Sequence, residues 1–231
     1  MARSPDKIHV YLEIGKKRTF AGALDWPGWC RSGRDEESAL QALVDYGPRD
    51  AQVLRNTRLG FQPPSTGSAL LVKERLEGNA TTDFGAPGTA PSNDARAVDT
   101  NEFRRFERIL KACWRVLDRT TESARGKELS SGPRGGGRQV DGIVQHLLGS
   151  EAGYLSQVGW KLKHEQTASL TDQLEQPRQG ILEGLAASAR GDIPAKGPRG
   201  GIRWSPRYFV RRLAWHTLDH VWEIEDRVLP A

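Results

Sequence analysis

The spacing of apolar positions along this 231-residue chain changes character near residue 100. Before that point two periods mix. KIHVYLEIG (7–15) alternates around β-forming residues, and TFAGALDW (19–26) follows as a second short strand. The charged triplet Lys16-Lys17-Arg18 predicts the hairpin turn between them. Pro27-Gly28-Trp29 then breaks the chain. Residues 34–54 place Ala39, Leu40, Leu43 and Val44 on one stripe behind Asp35, a candidate N-cap, with Glu36 and Glu37 in the first turn. That pattern predicts a helix which Gly47-Pro48 ends or kinks. SALLVKERLEG (68–78) predicts a returning strand.

Beyond residue 100 the period is helical throughout. Phe103, Phe106, Leu110, Cys113 and Leu117 step at three and four behind Asn101, a candidate N-cap. Val140, Ile143, Val144, Leu147 and Leu148 mark a second helix reaching about Val158. Leu170, Leu174, Ile181, Leu182 and Leu185 mark a third, with a kink expected near Pro177 and Gly180. Tyr208, Phe209, Leu213, Trp215, Val221, Trp222 and Ile224 mark a fourth, opened by Ser205 as N-cap and Pro206 at the first helical position. The fold class predicted is α+β. A small ββαβ domain (1–78) precedes a linker or surface loop rich in Gly, Pro, Ala and Thr (79–100). An up-down-up-down four-helix bundle (101–231) follows.

Composition narrows the function classes. At 37% hydrophobic and 27% charged residues the chain has the make-up of a soluble globular protein, with no apolar run near the ~18 residues of a membrane span. The N-terminal residues lack the apolar stretch of a signal peptide, and the two cysteines, Cys30 and Cys113, fit no metal spacing. A cytoplasmic protein with free thiols is expected. Residues 1–100 hold 13 basic and 13 acidic side chains; residues 101–231 hold 21 and 16, so the whole net charge of +5 lies in the second part. The excess suits a small anionic ligand or a solvated face better than nucleic acid. Arg104, Arg105, Arg108, Arg115 and Arg119 are spaced as such an outer face.

Candidate chemistry is concentrated in the histidines. WHTLDH places His216 and His220 at i and i+4 on one face of the fourth helix, the spacing by which a helix offers two imidazoles to one metal ion. His146 lies on the second helix, whereas His9 and His164 have no partner in the pattern. Three neutral imidazoles suit Zn²⁺, Ni²⁺ or a similar divalent ion with positions left for water or substrate. The alternative is three packed histidines bonded to neighbouring groups. Asp219 is a candidate for orienting an imidazole; Arg212 and Glu223 share that side of the helix, Glu223 at the head of a charged surface run. Glu151 lies about 140° around its helix from His146 and is expected to pair across helices.

One pentapeptide occurs twice. GPRGG at 132–136 and at 197–201 precedes each histidine-bearing helix. In an up-down-up-down bundle both loops lie at one end. Arg134 and Arg199, backed by Arg138 and Arg203, would then form a paired anion clamp over the site. Two solvated turns of similar composition are the alternative.

Two resemblances add to these readings. H-L-L-G-S-E (146–151) and R-R-L-A-W-H-T-L-D-H-V-W-E-I-E-D-R (211–227) resemble the DinB/YfiT-like superfamily of four-helix bundles over residues 101–229. The resemblance implies that His146, His216 and His220 are ligands of one divalent metal ion. It also implies a metal-dependent enzyme of thiol-transferase, isomerase or hydrolase type, acting with a low-molecular-weight thiol such as mycothiol. Y-L-E-I-G-K-K-R-T-F-A-G-A-L-D-W-P-G-W-C-R-S-G-R-D-E-E-S-A-L-Q-A-L (11–43) resembles a HicB-like domain, with Trp29 displacing the cysteine of that family's turn. A HicB-like front end also fits a second function: a non-catalytic metal or small-molecule sensor bundle fused to an interaction domain. A homodimer is compatible with either.

Overall fold

A computed structural model of the protein describes residues 7–132, 137–161 and 170–229. The chain divides into two compact units, one ending at Arg96 and one beginning at Ala97. No described helix is long and apolar enough to cross a membrane.

The first unit is built on a four-stranded mixed sheet. β1 (Ile8–Ile14) and β2 (Thr19–Ala23) form the expected hairpin, closed where Gly15 N–H donates to Arg18 O at 2.9 Å. β3 (Cys30–Gly33) is a strand that the sequence pattern does not predict, pairing antiparallel with β2. Its four residues carry one buried apolar side chain, Cys30, and so show no alternation to detect. The helix α1 (Glu36–Leu54) then crosses to β4 (Leu70–Glu77), which lies parallel to β1, giving the order β3-β2-β1-β4.

α1 starts where Asp35 accepts from Ser38 N–H at 2.8 Å, a full capping box. It continues past Pro48 to Leu54, because Asp50, Val53 and Leu54 beyond the proline are buried and tertiary packing outweighs the lost bond. Trp29 is fully buried and its indole N–H donates to Leu43 O at 2.8 Å, joining the Pro-Gly-Trp turn to α1.

Residues 79–96 belong to this unit. The short helix α2 (Ala80–Phe84) sets Thr82 against Glu13, a carboxylate with no exposure on β1. Glu13 accepts from the Thr82 hydroxyl, from Gly88 N–H at 2.8 Å and from Thr89 N–H at 3.1 Å. Ser92 bonds Glu74 on β4.

The second unit contains four long helices, α3 (Thr100–Ser123), α4 (Val140–Gln157), α5 (Leu170–Arg190) and α6 (Pro206–Arg227). The N-cap of α3 is Asp99 rather than Asn101, and α6 opens on Ser205 and Pro206 as expected. α5 is one helix with Pro177 inside it. α6 is buried over 17 of its 22 residues and packs on the other three helices, whereas α3 and α4 meet chiefly through α5 and α6.

The helix directions correct the up-down-up-down expectation. Arg207 at the start of α6 pairs with Glu102 at the start of α3, and Thr120 reaches Glu225 near their ends, so α3 and α6 are parallel. Trp204 N–H donates to Gln157 O at 3.0 Å and Arg227 donates to Arg138 O, so α4 opposes α6. A Cβ at Gly184, late in α5, would stand 2.8 Å from Leu155 and 2.9 Å from Trp160, at the end of α4. Arg178, early in α5, is forked onto Asp118, late in α3. α4 and α5 therefore point the same way. The 12 residues joining them can span about 40 Å when extended, more than the roughly 27 Å length of α4.

Candidate metal centre

α4 and α6 bring the three sequence-predicted histidines together. One ring nitrogen from each of His146, His216 and His220 falls within 4.8 Å of the other two. The three ring centroids are 4.7–5.1 Å apart. His216 and His220 are buried, and His146 is half-buried. The i, i+4 pair places the Nε2 atoms of His216 and His220 3.1 Å apart.

That spacing fits a shared ion. Two nitrogens bound at 2.0–2.1 Å around a tetrahedral centre are about 3.3 Å apart, and around an octahedral one about 2.9 Å. The three nitrogens all lie within 4.8 Å of one another, and closing on one ion draws them nearer than that limit.

The protonation states favour metal binding. Burial holds His216 well below the usual imidazole range, and the charges on His220, His146, Arg212 and Arg138 add to it. Burial also lowers His146, with His220 and Arg138 contributing. Both are neutral bases near pH 7, as a ligand must be. His220 Nδ1 lies 2.6 Å from Glu223 Oε2, and a carboxylate can only accept, so Nδ1 carries the proton and the Nε2 lone pair faces His216. His216 Nε2–H then donates to that lone pair, and His216 Nδ1 is buried without a hydrogen-bond partner among the described residues. An ion shared by the two Nε2 atoms would take the place of the His216 Nε2 proton.

The surrounding residues differ from the sequence expectation. The carboxylate that orients His220 is Glu223, and the i+3 spacing was the available signal. Hydrogen bonds to His220 and the charge of Arg227 hold the Glu223 carboxyl below its ordinary range despite partial burial. Arg212 is buried, donates to the Tyr154 hydroxyl at 3.0 Å and lies over the rings of Tyr154 and Trp215. Tyr154 in turn meets His216 edge-on at 5.6 Å, and burial raises its phenol. Nothing in the local sequence marks Tyr154.

The two loops expected to carry the paired anion clamp do not share one end of the helices. The α3–α4 loop is seated on the C-terminal end of α6, where Ser130 N–H donates to Arg227 O at 2.8 Å and Leu129 pairs with Val228. The 191–205 loop leads into the N-terminal end of α6, about 33 Å away along its axis. Parallel α3 and α6 put the two loops at opposite ends. Arg199 is exposed in a tight turn in which Gly197 N–H donates to Gly201 O and Gly200 adopts φ +80°. Arg203 donates to Pro194 O. Pro133-Arg134-Gly135-Gly136 and His164 lie outside the described residues. The guanidinium charges that act on the histidines belong to Arg138 and Arg212.

Protein-family models, curated proteins and solved structures were all compared with this chain, and none matched.

Proposed function

We propose that residues 101–229 form a four-helix bundle of the DinB/YfiT-like type that binds one divalent ion, Zn²⁺ or Ni²⁺, through His146, His216 and His220. In this reading the preceding unit is a HicB-like domain, and the whole is a cytoplasmic metal-dependent enzyme. The reaction is of thiol-transferase, isomerase or hydrolase type on a small anionic substrate, with a low-molecular-weight thiol such as mycothiol as co-substrate. The observation that carries it is the geometry of the α6 pair. Two Nε2 atoms lie 3.1 Å apart at ion-sharing distance, one on a ring oriented by Glu223 and the other on a buried imidazole. A bound ion supplies Lewis acidity that lowers the pKa of a water or thiol. The chain's own residues supply the rest. Burial keeps the imidazoles of His146 and His216 unprotonated, and Arg138 and Arg212 place positive charge beside them, which suits an anion.

The test is metal content by mass spectrometry on protein purified without a histidine tag, beside the His216→Ala/His220→Ala protein. About one divalent ion per chain is expected, lost in the double variant while circular dichroism is unchanged. No ion after incubation with Zn²⁺ and Ni²⁺ overturns the reading. Metal without thiol-dependent turnover moves it to the sensor alternative.

A further inference from the structure

The contact on His220 does not end at Glu223. The other carboxylate oxygen of Glu223 pairs with the Arg227 guanidinium, one turn further along α6. Arg227 is buried, with its side chain 6% exposed, and it directs two further donors to the α3–α4 loop. Nε donates to Ser130 O at 2.8 Å and a terminal nitrogen donates to Arg138 O at 3.0 Å. A Cβ at Gly137 would stand 2.4 Å from the guanidinium, and Gly137 has φ +149°, so the loop backbone rests directly on Arg227. One unbroken chain of contacts thus joins a metal-facing imidazole to the loop ahead of α4.

We propose that Glu223 and Arg227 are positioning residues of this centre and that they couple metal affinity to the placement of Ser130 and Arg138, the residues of the α3–α4 connection that Arg227 holds. The proposal rests on the metal-site reading above. Glu223 fixes the His220 tautomer and ring orientation, the role a carboxylate behind a ligating imidazole commonly fills. Its side chain is 30% exposed, enough freedom to turn towards water. Arg227 removes that freedom by holding the second oxygen. Arg227 is in turn fixed by two loop carbonyls, so a shift of the loop loosens Glu223 and then His220. Coupling of this kind is reciprocal: an ion that fixes His220 also tightens the loop.

The experiment uses the full chain. Zn²⁺ affinity is read by competition with a chromophoric chelator for the wild type, Glu223→Gln, Arg227→Met and the two combined. Glu223→Gln nearly preserves shape, and its affinity is expected to fall about 10- to 100-fold with an unchanged metal-free melting temperature. Its Co²⁺ visible spectrum should change, as altered ligand orientation requires. The double variant should be weakened by less than the product of the single effects, because both act through one contact. Zn²⁺ should also slow amide exchange at Ser130 in the wild type and not in Glu223→Gln. Zn²⁺ affinity and Co²⁺ spectrum unchanged in Glu223→Gln overturn the proposal while the metal site stands. Additive single effects, or unaltered exchange at Ser130, overturn the coupling. A wild type that binds no Zn²⁺ removes this proposal together with the metal reading.

Discussion

Glu151 illustrates what burial does to a single carboxyl in this protein. It is 5% exposed on α4, and burial raises its pKa to about 7 against the pull of Arg178, whose fork is engaged by Asp118. In the unfolded chain the group returns to about 4.5. The folded state therefore holds the proton more tightly between those values. Its contribution is fully present below about 4.5 and is lost as pH rises through about 7. Glu151→Gln, which stays neutral, should thus gain stability over the wild type as pH rises from 5 to 8. The difference should reach the order of 2–3 kcal/mol. Urea unfolding at the two pH values checks this, and a difference that is flat with pH removes the burial argument. Asp50 on α1, also raised to about 7 by burial, should behave the same way as Asp50→Asn.

At the scale of elements, local signals and tertiary ones part company. Asp35, Ser205 and Pro206 were legible because a helix start is written in one or two residues. His216 and His220 were legible as a pair because an i, i+4 spacing on a predicted helix fixes relative position before any packing is known, whereas His146, on another helix, was joined to them by the resemblance. The strand β3 was not, since four residues with one buried side chain carry no period. Helix direction was not either. It depends on the α4–α5 connection, and a 12-residue segment permits a parallel or an antiparallel neighbour. The expectation that both GPRGG loops lie at one end failed on that point alone.

The segment 79–96 had the composition of a linker, yet a glutamate on β1 holds it. Glu13→Ala leaves the Thr82 hydroxyl and two backbone N–H groups without their acceptor and should cost about 3 kcal/mol. Thr82→Val, which removes one donor, should cost about 1 kcal/mol. Limited proteolysis within 79–96 should accelerate in Glu13→Ala. Equal cleavage rates in variant and wild type would mean that other contacts hold the segment.

For the whole molecule, the two units offer separate handles on stability. Every group assigned to the metal centre lies in residues 97–231: His146, His216, His220, Glu223 and Arg227. Glu13 and the contacts it makes lie wholly in the first unit. An ion that binds only the folded state stabilises it by RT ln(1 + [L]/Kd), about 2.7 kcal/mol at a hundredfold excess over Kd. Calorimetry of the full chain should therefore resolve which unit each perturbation reaches. Zn²⁺ is expected to raise the transition that includes the helical unit, and the shift should vanish in His216→Ala/His220→Ala. Glu13→Ala should lower the transition that includes the sheet, with or without Zn²⁺. Two transitions that respond separately would establish the units as independent in stability, so that the sheet domain does not contribute to metal affinity. A single transition moved by both changes would instead mean that the units unfold together. The sheet domain would then share, through the folding equilibrium, in whatever the metal centre does.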